Sequence, residues 1–258
     1  MSMSAAMDER WFRRFAESGP AAQGPPRRLI CFPHAGGSAS FYFPFARELA
    51  GVCELLAVQY PGRQDRRAEP ACTDLEVLAD RVHAALPRDS GTPTALFGHS
   101  MGAVLAYEVA RRLERDGAGP AALIVSGRRA PAARRHEDVH RRGDDLLLAE
   151  VAGLSGTAPA LLEDEELRRL ILPPLRADYR AVETYRHRSG PPLGCPISVL
   201  TGDRDPRVSP AEAEAWRGHT DADFRLRTFP GGHFYLNERR AEVAAAIAAD
   251  LRRHAAGR

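Results

Sequence analysis

Six short apolar runs recur along the chain, and segments with helical spacing separate several of them. The runs cover residues 29–32, 55–60, 94–97, 123–126, 197–201 and 224–229. Each is short and continuous, as expected of a strand that is buried on both faces. Between them, apolar residues such as Leu75, Leu78 and Val82 recur at intervals of three and four. Strands that alternate with helices predict an α/β fold, with a mostly parallel central sheet and helices on both of its faces.

One region interrupts this alternation. From about residue 129 to residue 192 the sequence contains no strand-like run, and charged residues mix with Leu and Ala. We therefore predict a helical insertion there. Pro173 and Pro174 predict the end of one helix and the start of the next. The second helix would carry three apolar residues on one face, Leu175, Tyr179 and Val182. Such a face packs on the main domain, forms a lid over a binding site, or does both.

The size of the chain favours one main domain. Its 258 residues are 44% hydrophobic, which is enough to bury one large core. We predict this domain over residues 28–258, with the insertion inside it. Residues 1–27 are predicted to form an N-terminal arm, because they end in a stretch rich in Pro and Gly. Trp11 and Phe12 could attach this arm to the surface.

Composition argues against several classes of protein. The net charge is only +2 and the arginines are interleaved with acidic residues, so we predict no nucleic-acid binding. No apolar stretch approaches the roughly 20 residues of a membrane-spanning helix, so we expect no membrane contact and a cytoplasmic location. The cysteines are scattered and predict neither a disulfide framework nor a metal cluster. They are Cys31, Cys53, Cys72 and Cys195.

A candidate nucleophile lies between the third apolar run and a helical segment. Residues 98–102 read Gly-His-Ser-Met-Gly, which matches the pattern G-x-S-x-G. In the strand–turn–helix context of a nucleophile elbow, this pattern exposes the serine hydroxyl on a sharp turn, where only glycine fits on either side. A serine needs a base to become a nucleophile. Ser100 is therefore a candidate only if a histidine and an acid follow it.

Both partners follow in the required order. The strand at 197–201 continues into Gly-Asp-Arg-Asp-Pro, and the strand ending at Phe229 continues into Pro-Gly-Gly-His. The order Ser, Asp, His at successive strand ends is that of α/β-hydrolases. We predict Asp205 as the acid, with Asp203 as the alternative, and His233 as the base that takes the Ser100 proton.

The loop after the first apolar run is a candidate oxyanion hole. It reads Phe-Pro-His-Ala-Gly-Gly-Ser and consists largely of small residues. In this architecture one backbone N–H of such a loop and the N–H of the residue after the nucleophile stabilise the developing oxyanion. We predict Ala35 as the first donor, with Gly36 as the alternative, and Met101 as the second donor.

A second motif competes for the catalytic role. Residues 136–140 read His-Glu-Asp-Val-His, which is formally the H-E-x-x-H zinc pattern. A zinc site of this kind needs both histidines on one face of a packed helix and a third ligand. Arginines surround the motif and Gly143 follows it closely, so we predict a solvated charged segment and no metal.

Seven motifs together resemble the type II thioesterases of polyketide synthases and nonribosomal peptide synthetases. They begin with "LICFPHAGGSASFYFPFARELA" and continue through the sequences around residues 56, 97, 126, 172 and 201 to "FPGGHFYL". The resemblance runs from about Arg28 to the last helix. It implies the α/β-hydrolase fold, a helical lid, a Ser100–Asp205–His233 triad and oxyanion donors at Ala35 and Met101.

The resemblance also implies an activity. Such enzymes remove unwanted acyl groups from the phosphopantetheine thioester of acyl or peptidyl carrier proteins, and need no cofactor because the substrate carries the phosphopantetheine. The competing interpretation is a carboxylesterase or acyltransferase that uses the same triad on a small diffusible ester. We further expect Arg63, Arg66 and Arg67, together with the arginines near residue 128, to lie at the mouth of the site and attract acidic carrier proteins.

Overall fold

A computed structural model describes residues 8–15, 27–86, 92–155 and 164–254. Within these ranges seven strands form one sheet in the order β1-β3-β2-β4-β5-β6-β7. The strands are β1 (Phe12–Arg14), β2 (Arg28–Phe32), β3 (Glu54–Val58), β4 (Thr94–His99), β5 (Ala122–Ser126), β6 (Ile197–Gly202) and β7 (Phe224–Phe229). Strands β2 to β7 pair in parallel, whereas β1 pairs antiparallel with β3. The predicted mostly parallel sheet is confirmed.

Helices cover both faces of this sheet. They are α1 (Phe43–Glu48), α2 (Leu75–Ala85), α3 (Met101–Arg115), α4 (Asp144–Ser155), α5 (Glu165–Thr184), α6 (Pro210–Glu214), α7 (Tyr235–Glu238) and α8 (Arg240–His254). Residues of α2 and α3 share one apolar cluster with Ile30 and Leu56, and residues of α1 and α8 share another with Leu29 and Leu55. Neighbouring residues of one strand thus face opposite layers, which explains why the strand sequences are continuously apolar.

The strand order determines where a ligand site can form. The chain passes from β2 outward to β3 and then returns to place β4 on the other side of β2. The connections that leave β2 and β4 therefore diverge and open a crevice at the carboxyl ends of these strands, where α/β sheets bind their ligands. The loop after Phe32 and the turn at Ser100 both begin at this crevice.

Part of the predicted arm belongs to the sheet. Strand β1 adds an edge to β3, and both Trp11 and Phe12 are buried. The guanidinium of Arg66 lies 4.2 Å from the ring centroid of Trp11. Residues 1–7 and 16–26 lie outside the described residues, so the domain boundary at residue 28 stays a prediction.

The insertion between β5 and β6 is helical, as predicted, but one expectation about it is wrong. Pro173 and Pro174 do not separate two helices, because α5 runs through both of them. Proline in a helix interior removes a hydrogen bond and costs about 3 kcal/mol. Burial of the apolar face after the prolines offsets this cost, since Leu175, Tyr179 and Val182 are all buried. Tertiary packing here outweighs local propensity.

The cysteines and the lengths of the helices are also the subject of predictions from composition. All four cysteines are buried thiols that take part in no disulfide, and they pack in the apolar clusters of the sheet. None of the helices in the described part of the chain has the length and apolar character that crossing a bilayer requires.

Candidate active site

Ser100 occupies a strained turn between β4 and α3. Its φ of 55° and ψ of −117° are unusual for a residue other than glycine. The flanking glycines are required by close contact, because a Cβ on Gly98 would lie 2.1 Å from the carbonyl oxygen of Gly102. A Cβ on Gly102 would lie 2.0 Å from the carbonyl oxygen of Phe32. The sharp turn is therefore held by backbone packed against backbone, which presents the serine at a fixed position.

The structure brings His233 and Asp205 together. Nδ1 of His233 lies 2.9 and 3.0 Å from the two carboxylate oxygens of Asp205, and both side chains are buried. An ionised carboxylate only accepts hydrogen bonds, so Nδ1 carries the proton and Nε2 is free to act as a base. Asp203, the alternative acid, instead accepts the backbone N–H of Gly231 at 2.8 Å. It thus shapes the loop that carries the histidine.

The predicted catalytic and oxyanion residues line one small cavity. Ser100, His233, Ala35 and Met101 all contribute to a space of about 30 Å³. This volume holds only one or two water molecules. The elements that meet here are the loop after β2, the turn after β4, the loop after β7 and helix α5 of the insertion.

Hydrogen bonds from distant residues hold the candidate oxyanion loop after β2 at several positions. The hydroxyl of Tyr60 donates to the Pro33 carbonyl at 3.0 Å. The N–H of Gly36, our alternative oxyanion donor, donates to the carboxylate of Asp178 at 2.8 Å. This bond engages the Gly36 N–H. Ala35 is therefore the candidate first donor that the geometry favours.

Two of the arginines that we expected at the mouth of the site are buried. Arg63 and Arg66 each expose 7% of their surface, whereas Arg67 is exposed. Arg63 forms a two-point ion pair with Asp178, and Arg66 pairs with Glu69. Burial disfavours the charge on Arg63, but the attraction of Asp178 outweighs it and raises the pKa of Arg63 above its ordinary value. The expectation that Arg63 and Arg66 attract carrier proteins is wrong, because both side chains are buried and each already pairs with a carboxylate of this chain.

Two further histidines surround His233. The ring of His99 lies 5.0 Å from that of His233, and its Nδ1 lies 2.9 Å from the Ser126 hydroxyl. His34 packs edge-on against Phe234. Burial lowers the pKa of His34 to about 3, aided by the positive charge that His233 can carry, and burial also lowers the pKa of His99 well below its ordinary value. Both rings are therefore neutral near pH 7 and add no positive charge beside the candidate base.

One charged group in the catalytic cavity lacks a partner. Arg128 lines the cavity together with Ser100, and its Nε is buried with no hydrogen-bond partner among the described residues. Burial is the main reason that its pKa falls to about 10, and the neighbouring Arg129 adds to this effect. The other charged groups of the cavity all have partners; they are Glu137, Glu183 and Arg207. Arg128 is thus free to meet a ligand.

The H-E-x-x-H segment does not form a zinc site. His136 is exposed, whereas His140 pairs with Glu183 and Glu137 pairs with Arg129 and Arg207. Among the described residues, no three His, Cys, Asp or Glu side chains are placed to hold a metal ion. The segment is charged and exposes His136 and Asp138, as predicted, whereas Glu137 and His140 are partly buried in ion pairs.

Our sequence analysis missed Asp178, although the sequence contains a signal for it. Asp178 lies three residues after Leu175 and four before Val182, and therefore on the apolar face of α5. A carboxylate on a buried face requires a partner. The sequence does not reveal that this partner is Arg63, more than a hundred positions away.

Comparisons with known proteins agree with this geometry. A family model described as a thioesterase domain matches residues 27–251. The probable cadicidin biosynthesis thioesterase of Streptomyces griseus is 51% identical over 94% of this chain and 66% of its own length. Thioesterase PikA5 of Streptomyces venezuelae is 51% identical over 90% of this chain and 82% of its own. The solved structure of the type II thioesterase BorB from the borrelidin biosynthetic cluster is 51% identical, with a TM-score of 0.84 over 96% of this chain and 100% of that one. This chain belongs to the thioesterase family.

Proposed function

We propose that this protein is a type II thioesterase that removes acyl groups from the phosphopantetheine thioester of carrier proteins. The observation that carries the proposal is that His233, paired with the buried Asp205, lines the same cavity as Ser100. A solved structure titled as the type II thioesterase YbtT from the yersiniabactin NRPS/PKS biosynthetic pathway, 32% identical to this chain, supports the choice of substrate class. Release of unwanted acyl groups would return stalled carrier proteins to the synthase.

In the first step, Ser100 attacks the thioester carbonyl. Nε2 of His233 takes the hydroxyl proton while the Ser100 oxygen forms a bond to the carbonyl carbon. Asp205 holds the imidazole in the tautomer with the proton on Nδ1 and stabilises its charged form. The C–S bond then breaks, and the proton on Nε2 passes to the departing thiolate.

The oxyanion that forms during the attack needs two donors. We assign them to the backbone N–H groups of Ala35 and Met101, because both residues line the cavity with Ser100. One such donor contributes a factor of about 10² to 10³ in rate. Met101 is the first residue of α3, so the positive end of the helix dipole adds to this stabilisation.

In the second step, water releases the acid. His233 takes a proton from the water, the water oxygen bonds to the acyl carbon, and Ser100 regains its proton as the ester breaks. Each proton and bond is accounted for by side chains of this chain and by water. We therefore propose that no cofactor takes part beyond the phosphopantetheine carried by the substrate.

We also propose the partners and the location. The thioester reaches the enzyme on an acyl or peptidyl carrier protein, and the exposed Arg67 and Arg134 are available to contact its acidic surface. Because the relatives are named for biosynthetic pathways, we place the protein in the cytoplasm with its synthase.

The test is hydrolysis of a panel of acylated carrier proteins, followed by mass spectrometry. Ser100→Ala should lower the rate by a factor on the order of 10⁶, because the covalent route is lost. Asp205→Asn should lower it by about 10⁴, since the imidazole adopts the wrong tautomer. Thioester cleavage that survives Ser100→Ala would refute the proposal. An oxygen ester cleaved faster than the thioester of the same acyl group would instead indicate a carboxylesterase.

A further inference from the structure

Helix α5 of the insertion reaches into the oxyanion loop through Asp178. One carboxylate oxygen of Asp178 accepts the N–H of Gly36 at 2.8 Å and the Nη1 of Arg63 at 2.7 Å. The other accepts the Nη2 of Arg63 at 2.9 Å. Asp178 is only 1% exposed, so water does not compete for these bonds. The carboxylate thus links the insertion to two loops of the sheet.

Arg63 completes the link from the other side. Its Nη1 also donates to the carbonyl of Gly37 at 3.0 Å, and its guanidinium lies 5.2 Å from the ring centroid of Tyr60. Tyr60 in turn holds the carbonyl of Pro33. These bonds hold the loop at Pro33 and at Gly37. The carbonyl of His34, whose peptide carries the Ala35 N–H, accepts the N–H of Gly37 at 2.9 Å.

Apolar packing reinforces this contact. Gly36 has a φ of +75°, and a Cβ built on it would lie 2.7 Å from Cδ1 of Leu175. Leu175 and Asp178 are three positions apart on α5, so they lie on the same face of the helix. One face of α5 thus both covers the oxyanion loop and accepts its N–H.

We propose that Asp178 is a positioning residue that orients the Ala35 N–H toward the reacting carbonyl, so that the oxyanion hole is complete only when α5 is seated. The Ala35 N–H shares a rigid peptide plane with the His34 carbonyl, which accepts the N–H of Gly37. The bonds of Asp178 to Gly36 and of Arg63 to Gly37 hold this turn in place. Asp178 touches no reacting atom in this assignment. Its effect reaches the substrate through the loop. This inference rests on the proposed function and names the device that couples the insertion to it.

The chain supplies a matched control. Asp250 on α8 is also buried and pairs with Arg227 on β7, with Nη2 to Oδ1 at 2.8 Å. This ion pair joins the last strand to the last helix. Asp250→Asn therefore removes a buried carboxylate from the same kind of pair without changing the oxyanion loop.

The experiment measures kcat and KM for an acyl-pantetheine thioester with the wild type, Asp178→Asn and Asp250→Asn. It also measures inhibition by a trifluoromethyl ketone analogue of the substrate, whose adduct with serine carries the oxyanion. For Asp178→Asn we expect kcat to fall about 10- to 100-fold, less than an outright loss of one donor. KM should change little, and the inhibition constant should rise by the same factor as kcat falls. Asp250→Asn should keep the kcat of the wild type, although both variants lose stability.

Each outcome decides a different point. An unchanged kcat in Asp178→Asn, or an equal loss in Asp250→Asn, would overturn the positioning role while leaving the proposed function intact. Activity retained by Ser100→Ala would overturn the proposed function itself. Should Asp178→Asn fail to fold, Arg63→Gln serves as the second variant. It removes the bonds that hold the Asp178 carboxylate and the Gly37 carbonyl. We therefore expect kcat to fall and the inhibition constant to rise again, whereas wild-type values of both would contradict the role.

Discussion

The sheet and the insertion contribute to the same cavity, but different forces hold them in place. Strands β2, β4 and β5 are almost entirely buried, and the turn at Ser100 is fixed by backbone atoms in contact. The insertion instead has a small apolar cluster and many ion pairs. The cluster contains Val139, Leu147, Leu148, Leu175 and Tyr179. The ion pairs include those of Arg129 with Glu137, Arg142 with Glu150, Arg168 with Asp145 and Arg176 with Asp144.

This difference assigns two tasks to the two regions: the sheet keeps the candidate catalytic groups in a fixed geometry, and the insertion controls how substrate reaches them. Close apolar packing tolerates almost no displacement, so it suits the turn, acid and base that must keep one geometry. Partly exposed ion pairs contribute about 1 kcal/mol or less each and can exchange partners or water. The described residues leave a cavity of about 30 Å³ beside Ser100, which is smaller than an acyl group, and α5 of the insertion lines it. We therefore expect the insertion to move when substrate binds. The variants below test this contrast.

The largest loss of stability and activity is expected at the turn of Ser100, where backbone atoms of two loops are in direct contact. Gly102→Ala places a Cβ 2.0 Å from the Phe32 carbonyl oxygen, which no side-chain rotation relieves. We expect the free energy of unfolding to fall by about 3 kcal/mol and the activity to be lost, because the turn and the oxyanion loop are forced apart. Urea unfolding and thioester hydrolysis measure the two effects. A fully active and stable Gly102→Ala protein would show that the sheet side of the site is not rigid.

The next effect is expected in the pH dependence of the free energy of unfolding, through the buried His34 beside the sheet. The pKa of His34 is lowered to about 3, so as pH falls through the unfolded value near 6.5 the unfolded state binds the proton first. The contribution of His34 to the free energy of unfolding is therefore fully present above pH 6.5. As the pH falls toward 3, this contribution decreases by up to about 1.4 kcal/mol per pH unit. His34→Gln should flatten this slope in urea unfolding at several pH values. His136→Gln, at an exposed histidine of the insertion, is the control, and equal slopes in all three proteins would contradict the prediction.

A smaller effect is expected at Arg128, where the two regions meet. Its guanidinium has a buried Nε without a partner, so Arg128→Met removes a charge that is costly to bury. We expect the free energy of unfolding to rise by about 1 kcal/mol. Reduced turnover in this more stable protein would indicate that Arg128 contacts substrate. A loss of stability would mean that the side chain has a structural role that the described contacts do not explain.

The smallest effect is expected on the insertion. Gly153 lies in α4, and a Cβ built on it meets nothing within 4 Å. Gly153→Ala should raise stability by up to about 1 kcal/mol through the better helix propensity of alanine, with unchanged turnover. Together with Gly102→Ala, it compares the same substitution in the two regions. A large loss of stability here would place α4 among the closely packed elements.

Much of the site follows from local sequence. Five of the six predicted strands are recognisable because burial on both faces makes them continuously apolar. The sixth, β7, is an edge strand in which apolar and polar residues alternate and which is only partly buried. Ser100, Asp205 and His233 stand directly after three of these strands, and parallel strands bring their carboxyl ends to one edge. The edge strand β1 was not predicted as a strand, since three residues beside a polar stretch leave too weak a pattern.

Other features escape local patterns because they depend on partners distant in sequence. The helix that continues through Pro173, the burial of Arg63 and Arg66, and the choice between Asp203 and Asp205 all depend on which groups meet in the folded chain.

The alternation of apolar runs, the turn around Ser100 and the order of the catalytic residues are properties of the chain itself, because they reflect backbone sterics and periodic burial. Folding alone decided that Asp178 meets Arg63 and Gly36, and that the Nε of Arg128 is buried without a hydrogen-bond partner among the described residues. Ion pairing depends on distance in space, and residues 63 and 178 come together only after the insertion folds back over the sheet.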